Sequence, residues 1–170
     1  MAAVPRSSDF SIESKLSVEQ IHSAFSQEDY WLARQVAFGD VGRLDSFVVD
    51  TDGSVHAVIK TDMRDANPPG LVAHLYPRSF QTVHEETWSP AGEGEVRGEI
   101  KFTTHGAPGS GMGTGLLTPT QNGSCLKGRA TVEFRVPLIG GKIEGVICRQ
   151  LVEQLSQMLR FTEEWVTENA

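Results

Sequence analysis

The sequence is poor in cysteine and has no long apolar run. Its 170 residues include only two cysteines, Cys125 and Cys148, which is too few for a disulfide framework and lacks the CxxC spacing of a zinc or redox site. No stretch approaches the ~20 apolar residues of a membrane helix, and the first residues lack the apolar core of a secretion signal. We therefore expect a cytoplasmic protein with two free thiols, Cys125 on the outer face of a sheet and Cys148 on an inner helix face.

Positive charge is also scarce. The chain has 15 Lys and Arg against 22 Asp and Glu, a net charge of −7, and this balance argues against nucleic acid or an anionic membrane as the main partner. The excess acid lies in the first 94 residues, which carry 14 acidic and 7 basic side chains. One function left open by this asymmetry is a protein-interaction module that docks a basic partner.

The common motifs of nucleotide, metal and nucleophile sites are missing as well. Glycine alternates over residues 109–115 as GxGxGxG, which is neither the GxGxxG of a dinucleotide site nor part of a GK[ST] loop. The five histidines have no HExxH spacing, and no GxSxG elbow occurs. The sequence therefore predicts no metal and no other cofactor.

Two short helices are predicted near the start of the chain, after a tail of residues 1–8 and a short strand at residues 10–12. Ser17 followed by Gln20 has the spacing of a capping box and predicts a helix from residue 18. A second helix is predicted over residues 28–38. Its apolar residues are Trp31, Ala33, Val36 and Phe38.

From residue 41 onward, apolar and polar residues alternate with the period of a half-buried strand. Short connections indicate antiparallel neighbours, because a parallel pair needs a long crossover. An apolar, proline-containing stretch at residues 65–78 interrupts the strands and is interpreted as a lid-like insertion. The predicted strands cover residues 43–50, 55–63, 80–88, 95–104, 111–118 and 126–136.

Residues 142–168 predict one long amphipathic helix, since their apolar side chains fall within about half of the helical circumference. Such a helix can cover the apolar face of the sheet. The elements together predict a single domain over residues 1–170 with an α+β fold. It comprises an antiparallel sheet of about seven strands, two short helices after the first strand, and a long C-terminal helix across the sheet.

This order of elements resembles the START-like, or SRPBCC, helix-grip superfamily of lipid-transfer domains, polyketide cyclases and plant pathogenesis-related proteins. Several stretches also resemble an uncharacterised actinobacterial domain-of-unknown-function family within it. They are residues 17–22 (SVEQIH), 28–34 (EDYWLAR), 106–109 (GAPG), 136–144 (VPLIGGKIE) and 161–165 (FTEEW). The resemblance implies a curved sheet that grips the last helix around a cavity for a hydrophobic ligand, and it implies no particular reaction.

Small residues on the predicted inner face point to the same cavity. Gly98, Gly128 and Ala130, with Gly113 or Gly115, place little side chain where a packed core would hold Leu or Ile; the alternative is that these glycines only mark bends in the sheet. We expect the cavity to bind a small hydrophobic or amphipathic molecule, lipid-like or polyketide-like. Its predicted lining is Trp31, Leu71, Leu75, Tyr76, Phe102, Thr104, Thr114, Leu116, Ala130, Val132, Phe134, Leu151, Leu155 and Met158.

The sequence does not determine which residues of strand 80–88 face inward. Either the even-numbered residues His84, Glu86 and Trp88 face inward or their odd-numbered neighbours do, and solvent exposure is the commoner fate of such polar residues. If His84 and Glu86 face inward, they form an acid/base pair. Together with Tyr76 they would then be the catalytic candidates of an alternative function, an enzyme of the cyclase or aromatase kind.

Overall fold

The structure is a computed structural model that describes residues 5–62, 81–106, 109–133 and 140–170, without the side chains of residues 140–143. The described residues form seven strands and three helices. They are β1 (Arg6–Ser14), α1 (Val18–Phe25), α2 (Glu28–Ala37), β2 (Arg43–Val49), β3 (Val55–Asp62), β4 (Gln81–Gly92), β5 (Glu95–His105), β6 (Ser110–Thr120), β7 (Gly123–Glu133) and α3 (Gly140–Asn169). The predicted insertion at residues 65–78, with Leu71, Leu75 and Tyr76, lies outside the described residues, as does Phe134.

All seven strands belong to one antiparallel sheet, in the order β1-β7-β6-β5-β4-β3-β2. Consecutive strands from β2 to β7 are neighbours, as their short connections require, and β1 pairs with the last strand. Helix α3 packs on β1 and β7 and also contacts α1 and α2. The predicted α+β arrangement of sheet, two short helices and long C-terminal helix is confirmed.

The start of α1 follows the predicted capping box. The Ser17 hydroxyl accepts a hydrogen bond from the backbone N–H of Gln20 at 3.1 Å, and the Gln20 side chain accepts one from the N–H of Ser17 at 2.9 Å. Two of the backbone donors at the start of this helix are thereby satisfied. The apolar face of α1, which includes Ile21 and Phe25, is buried in the core.

Several predicted boundaries differ from the structure. Residues 6–8, assigned to the tail, belong to β1 and pair with residues 130–132 of β7. Strand β4 continues past Trp88 through Pro90 to Gly92, where the pairing register shifts. Proline has no N–H to donate to a ladder and is tolerated at such an irregularity. Helix α3 extends about two residues further than predicted at its N-terminal end.

The buried face of α2 does not follow from its apolar residues alone. Trp31 is fully buried as expected, but Val36 is 83% exposed and Phe38 is 44% exposed. The residues that α2 buries beside Trp31 are Tyr30 and Gln35. The buried side of α2 is therefore partly polar, and apolar residues near its C-terminal end are exposed.

Both cysteines are free thiols, as predicted. Cys125 lies opposite Thr118 on the outer side of β7, where its neighbours bury it. Cys148 of α3 donates to the carbonyl of Ala130 at 3.6 Å on the inner side. Within the described residues, no helix combines the length and the apolar character needed to cross a membrane.

Candidate functional site

The inner face of the sheet is tightly packed along one row of paired residues. Trp88 of β4 lies opposite Gly98, and this row continues through Gly115 and Gly128 to Phe10. A Cβ on Gly98 would collide with the Trp88 ring, and one on Gly115 would lie 3.0 Å from Leu126. Glycine at these positions leaves room for large neighbouring side chains, so this part of the inner face is filled.

The next two rows toward the other end of the sheet are less filled. Gly113 lies opposite Ile100, and Gly111 lies opposite Phe102. A Cβ on Gly113 would have its nearest neighbour at 3.9 Å, and one on Gly111 would lie 3.7 Å from Leu151 of α3. Both distances are ordinary van der Waals contacts. A methyl group would fit at both positions, so the volume between the sheet and α3 is less densely filled at these two rows than at the row of Trp88.

The apolar side chains around this volume are only half-buried. Ile100 and Phe102 point inward, because they share the parity of the buried Val96 and Gly98, yet both keep partial solvent exposure. Leu151 is likewise half-buried. We call the region around Gly111 and Gly113 the hollow.

The structure resolves the open question about β4. Thr82, His84, Glu86 and Trp88 face inward, and the odd-numbered Glu85 is exposed. Pairing sets this face, since Glu86 lies between Ala57 and Ile100, and His84 lies between Ile59 and Phe102. His84 and Glu86 therefore face inward, although polar residues of a strand are more often exposed to solvent.

Glu86 is fully buried and accepts four hydrogen bonds. Its Oε1 accepts from Nη2 of Arg34 at 2.5 Å and faces Nε2 of His84 at 2.7 Å. Its Oε2 accepts from Nε1 of Trp88 at 2.9 Å and from Nη1 of Arg34 at 3.3 Å. A carboxylate has about four acceptor positions, so Glu86 has none left for another molecule.

These contacts hold Glu86 in its ionised form. Burial by itself would raise the pKa of Glu86, but the charge of Arg34 and the hydrogen bond from His84 hold this pKa well below its usual range. Burial would also lower the pKa of Arg34, and the Glu86 carboxylate and Tyr30 raise it instead. The two groups form a buried ion pair with bidentate geometry.

Arg34 connects this ion pair to the helices. Its guanidinium carbon lies 5.0 Å from the centre of the Trp31 ring, a cation–π contact within α2. Tyr30, on the same face of α2, places its hydroxyl 2.8 Å from Oγ1 of Thr162 in α3. Since Thr162 donates its own hydrogen to the carbonyl of Met158, the Tyr30 hydroxyl is the donor. Burial raises the pKa of Tyr30 to about 12.

His84 is the most accessible member of this group, with 28% of its side chain exposed against 15% for Arg34 and none for Glu86. The ring lies opposite Phe102, beside the hollow. Because Glu86 is fully occupied, it cannot serve as a general acid or base there. Among the described residues, the acid/base group beside the hollow is therefore the imidazole of His84, held by a carboxylate.

The predicted lining residues fall into different groups in the structure. Phe102, Thr104 and Leu151 face inward and are half-buried near the hollow. Trp31 and Met158 are fully buried in the core. The buried residues that join the inner sheet face to α3 near the hollow are Ala130, Val132 and Leu155.

Thr114 and Leu116 are corrections to that prediction, because both point to the outer face of the sheet. Thr114 pairs with Glu99 and Arg129, and Leu116 pairs with Arg97 and Lys127. On a strand, successive side chains point to opposite faces. With Gly113 and Gly115 both inward, Thr114 must point outward.

A separate surface groove of about 370 Å³ lies between α1 and the end of α3. It is lined by residues that include Gln20, Gln27 and Trp165, and it shares no residue with the predicted cavity lining. The groove is open to solvent, and it is not the cavity predicted between the sheet and α3.

Sequence reasoning missed Arg34 and Tyr30 as members of the site. The available signal was helical spacing: Tyr30, Trp31, Arg34 and Gln35 occur at i, i+1, i+4 and i+5, which is one stripe of a helix. A charged residue on the same stripe as a buried tryptophan requires a buried partner. That partner, Glu86, could not be identified from α2 alone.

Two solved structures share this helix-grip arrangement. Ara h 8.0201 is 15% identical with a TM-score of 0.58, over 97% of this chain and 99% of that one. Norcoclaurine synthase from Thalictrum flavum, solved in complex with dopamine and hydroxybenzaldehyde, is 15% identical with a TM-score of 0.50, over 99% of this chain and 90% of that one. At these identities the likeness shows the fold alone, and it defines the chain as a helix-grip protein.

The chain belongs to the family of proteins of unknown function DUF2505, which it matches over residues 9–166. One relative is the uncharacterized protein Rv0481c of Mycobacterium tuberculosis strain H37Rv. It is 37% identical over 173 residues, which cover 98% of this chain and 99% of the relative.

Proposed function

We propose that this protein binds a small hydrophobic or amphipathic molecule, lipid-like or polyketide-like, in the hollow between the sheet and α3. One observation carries the proposal: the inward apolar side chains Ile100, Phe102 and Leu151 are half-buried around two glycines. Exposed apolar surface costs free energy, about 25 cal/mol per Å² relative to burial. A bound apolar molecule would recover this free energy.

The solved helix-grip structures support the proposal by analogy of fold. Norcoclaurine synthase was solved with two small aromatic molecules, dopamine and hydroxybenzaldehyde. Fold by itself does not determine function, so the argument for this chain depends on its own hollow.

A fluorescence titration with the neutral apolar dye N-phenyl-1-naphthylamine tests the proposal. We expect a saturable increase in emission with one dye per chain. Native mass spectrometry of the purified protein adds an independent readout, a bound apolar compound that organic extraction removes. Absence of saturable dye binding to well-folded protein would contradict the proposal.

A matched pair of variants localises the binding. Gly113→Leu places a branched side chain in the hollow, and its backbone conformation needs no left-handed φ. Thr114→Leu adds a similar side chain one residue away on the outer face. We expect Gly113→Leu to weaken dye binding at least about tenfold, the loss of ~1.4 kcal/mol of affinity, and Thr114→Leu to leave it unchanged. Equal affinity in both variants would place the dye elsewhere.

An enzyme of the cyclase or aromatase kind is the second candidate, and the inward His84 next to Glu86 favours it. In this function His84 is the general base and Glu86 only orients its ring, as a carboxylate does for a histidine in other acid/base sites. His84→Gln would then abolish turnover of a polyketide-like substrate while leaving dye binding intact. Turnover that survives this substitution would exclude His84 as the base.

A further inference from the structure

His84 has a defined hydrogen-bonding partner on one side of its ring. Its Nε2 lies 2.7 Å from Oε1 of Glu86, and an ionised carboxylate can only accept hydrogen bonds. Nε2 must therefore carry a hydrogen. Glu86 receives its other three hydrogen bonds from Arg34 and Trp88, which stabilise the ionised form.

In the neutral ring the hydrogen bond to Glu86 fixes the tautomer, because the single ring hydrogen lies on Nε2. Arg34 already balances the charge of Glu86 in their ion pair. The residues that flank His84 on the neighbouring strands, Ile59 and Phe102, are apolar. With the one proton on Nε2, Nδ1 presents a lone pair.

We infer that the molecule bound in the hollow carries a hydroxyl group, of an alcohol or a phenol, that donates a hydrogen bond to Nδ1 of His84. This inference rests on the proposed function and names the polar end of its ligand. Nδ1 makes no hydrogen bond to any residue in the described part of the chain, and 28% of the side chain is accessible. The described part of the hollow thus combines apolar side chains with the Nδ1 acceptor of His84 at its edge.

This arrangement selects between otherwise similar apolar molecules. An ether of the same shape has no hydrogen to donate, and a carboxylate would bring lone pairs and negative charge against Nδ1. A ligand that buries this nitrogen without a donor leaves it unsatisfied, and the penalty for an unsatisfied buried group exceeds the gain of an ordinary hydrogen bond. Selectivity for a hydroxyl therefore comes mainly from rejection of molecules that lack one.

Three probes with the same bicyclic ring test the inference at neutral pH: 2-naphthol, 2-methoxynaphthalene and 2-naphthoate. Isothermal titration of the full-length protein should show 2-naphthol binding about tenfold tighter than the other two, the difference of one hydrogen bond. His84→Leu should remove the preference for 2-naphthol over 2-methoxynaphthalene. His56→Leu is the matched control, because His56 lies on the outer side of β3 beside Thr87 and Asp50.

Nitrogen-15 NMR of the histidine rings gives a second readout that requires no variant and no ligand. The inference expects His84 as the neutral tautomer with hydrogen on Nε2. A hydrogen on Nδ1, or on both nitrogens, would overturn it.

The binding outcomes separate this inference from the proposed function. Equal binding of 2-naphthol and 2-methoxynaphthalene, or strongest binding of 2-naphthoate, overturns the hydroxyl preference and leaves ligand binding in place. Absence of saturable binding by all three probes and by the dye overturns both. A preference for 2-naphthol that persists in His84→Leu assigns the acceptor to another group and also overturns the inference.

Discussion

Replacing Arg34 with methionine removes the cation that faces a fully buried carboxylate. Glu86 has no exposed side-chain surface, and the Arg34 side chain is only 15% exposed, so water cannot replace the lost partner. Breaking one side of a buried pair costs about 3–5 kcal/mol. In a chain of this size, each kcal/mol of lost unfolding free energy lowers Tm by roughly 2–4 °C. Arg34→Met should therefore melt roughly 6–20 °C below the native protein.

The pH dependence of this difference has a definite sign. In the native protein the pKa of Glu86 lies below its usual range, so its stabilising contribution is present above the ordinary pKa of a glutamate and is lost only as the pH falls through the lowered value. Without Arg34, burial raises the pKa of Glu86, and the variant recovers stability as the carboxyl takes a proton. The gap between the two proteins should therefore narrow from pH 7 to pH 4.

Urea unfolding followed by tryptophan fluorescence measures the effect, since Trp31 contacts Arg34 and Trp88 contacts Glu86. The matched control is Arg129→Met, which breaks the exposed pair with Asp9 and should leave the midpoint unchanged. The double variant Arg34→Met/Glu86→Met should regain most of the loss, because apolar replacement of a whole buried pair is often neutral. A single variant no less stable than Arg129→Met, or a gap that does not change with pH, would refute this reasoning.

Three further predictions concern packing and the helices. Gly98→Ala should destabilise the fold by ~1–3 kcal/mol, because the new methyl group collides with the Trp88 ring. Gly113→Ala should not destabilise it, because its methyl group has room. The urea midpoints of the two variants measure this difference in stability. The free energy of unfolding should fall between pH 10 and about 12, because the unfolded chain releases the Tyr30 proton near pH 10 while the folded protein, with its raised Tyr30 pKa, retains it to about pH 12. In urea unfolding measured over this alkaline range, Tyr30→Phe should not show this decrease. Ser17→Ala should cost about 1 kcal/mol through loss of the α1 cap, and a variant that unfolds at the native urea midpoint would show that the cap contributes nothing.

The fold was predictable because its strands and last helix carry strong periodic patterns. The inward residues of β5, from Val96 to Phe102, alternate with charged ones, and the structure turns that face toward the inside of the sheet. Helix α3 has an apolar arc long enough to cover β1 and β7. Boundaries were less accurate, as at the end of β4, because a proline at a break in the ladder has the same sequence signature as a proline in a turn.

The site was less predictable because it is built from pairs distant in sequence. Arg34 and Glu86 are 52 positions apart, and neither α2 nor β4 shows by itself that the other supplies its partner. The polar residues on both faces of β4 gave no hydrophobic pattern from which to choose a face. The error at Thr114 had a different cause, because the pattern already contained the answer. Thr114 lies between the inward Gly113 and Gly115, and alternation along a strand directs it outward.

Stability alone does not account for a carboxylate with four donors in the middle of the inner face, because an apolar replacement of a buried ion pair is often as stable. The cluster of Glu86, Arg34 and Tyr30 instead fixes the positions of the elements that it connects. Glu86 belongs to β4, Arg34 to α2, and Tyr30 extends the contacts to Thr162 of α3, so one set of hydrogen bonds joins three elements near the hollow. The same contacts hold the His84 ring. Substitutions in the cluster should therefore change both stability and ligand selectivity, whereas substitutions at Gly113 should change only the volume that a ligand can occupy.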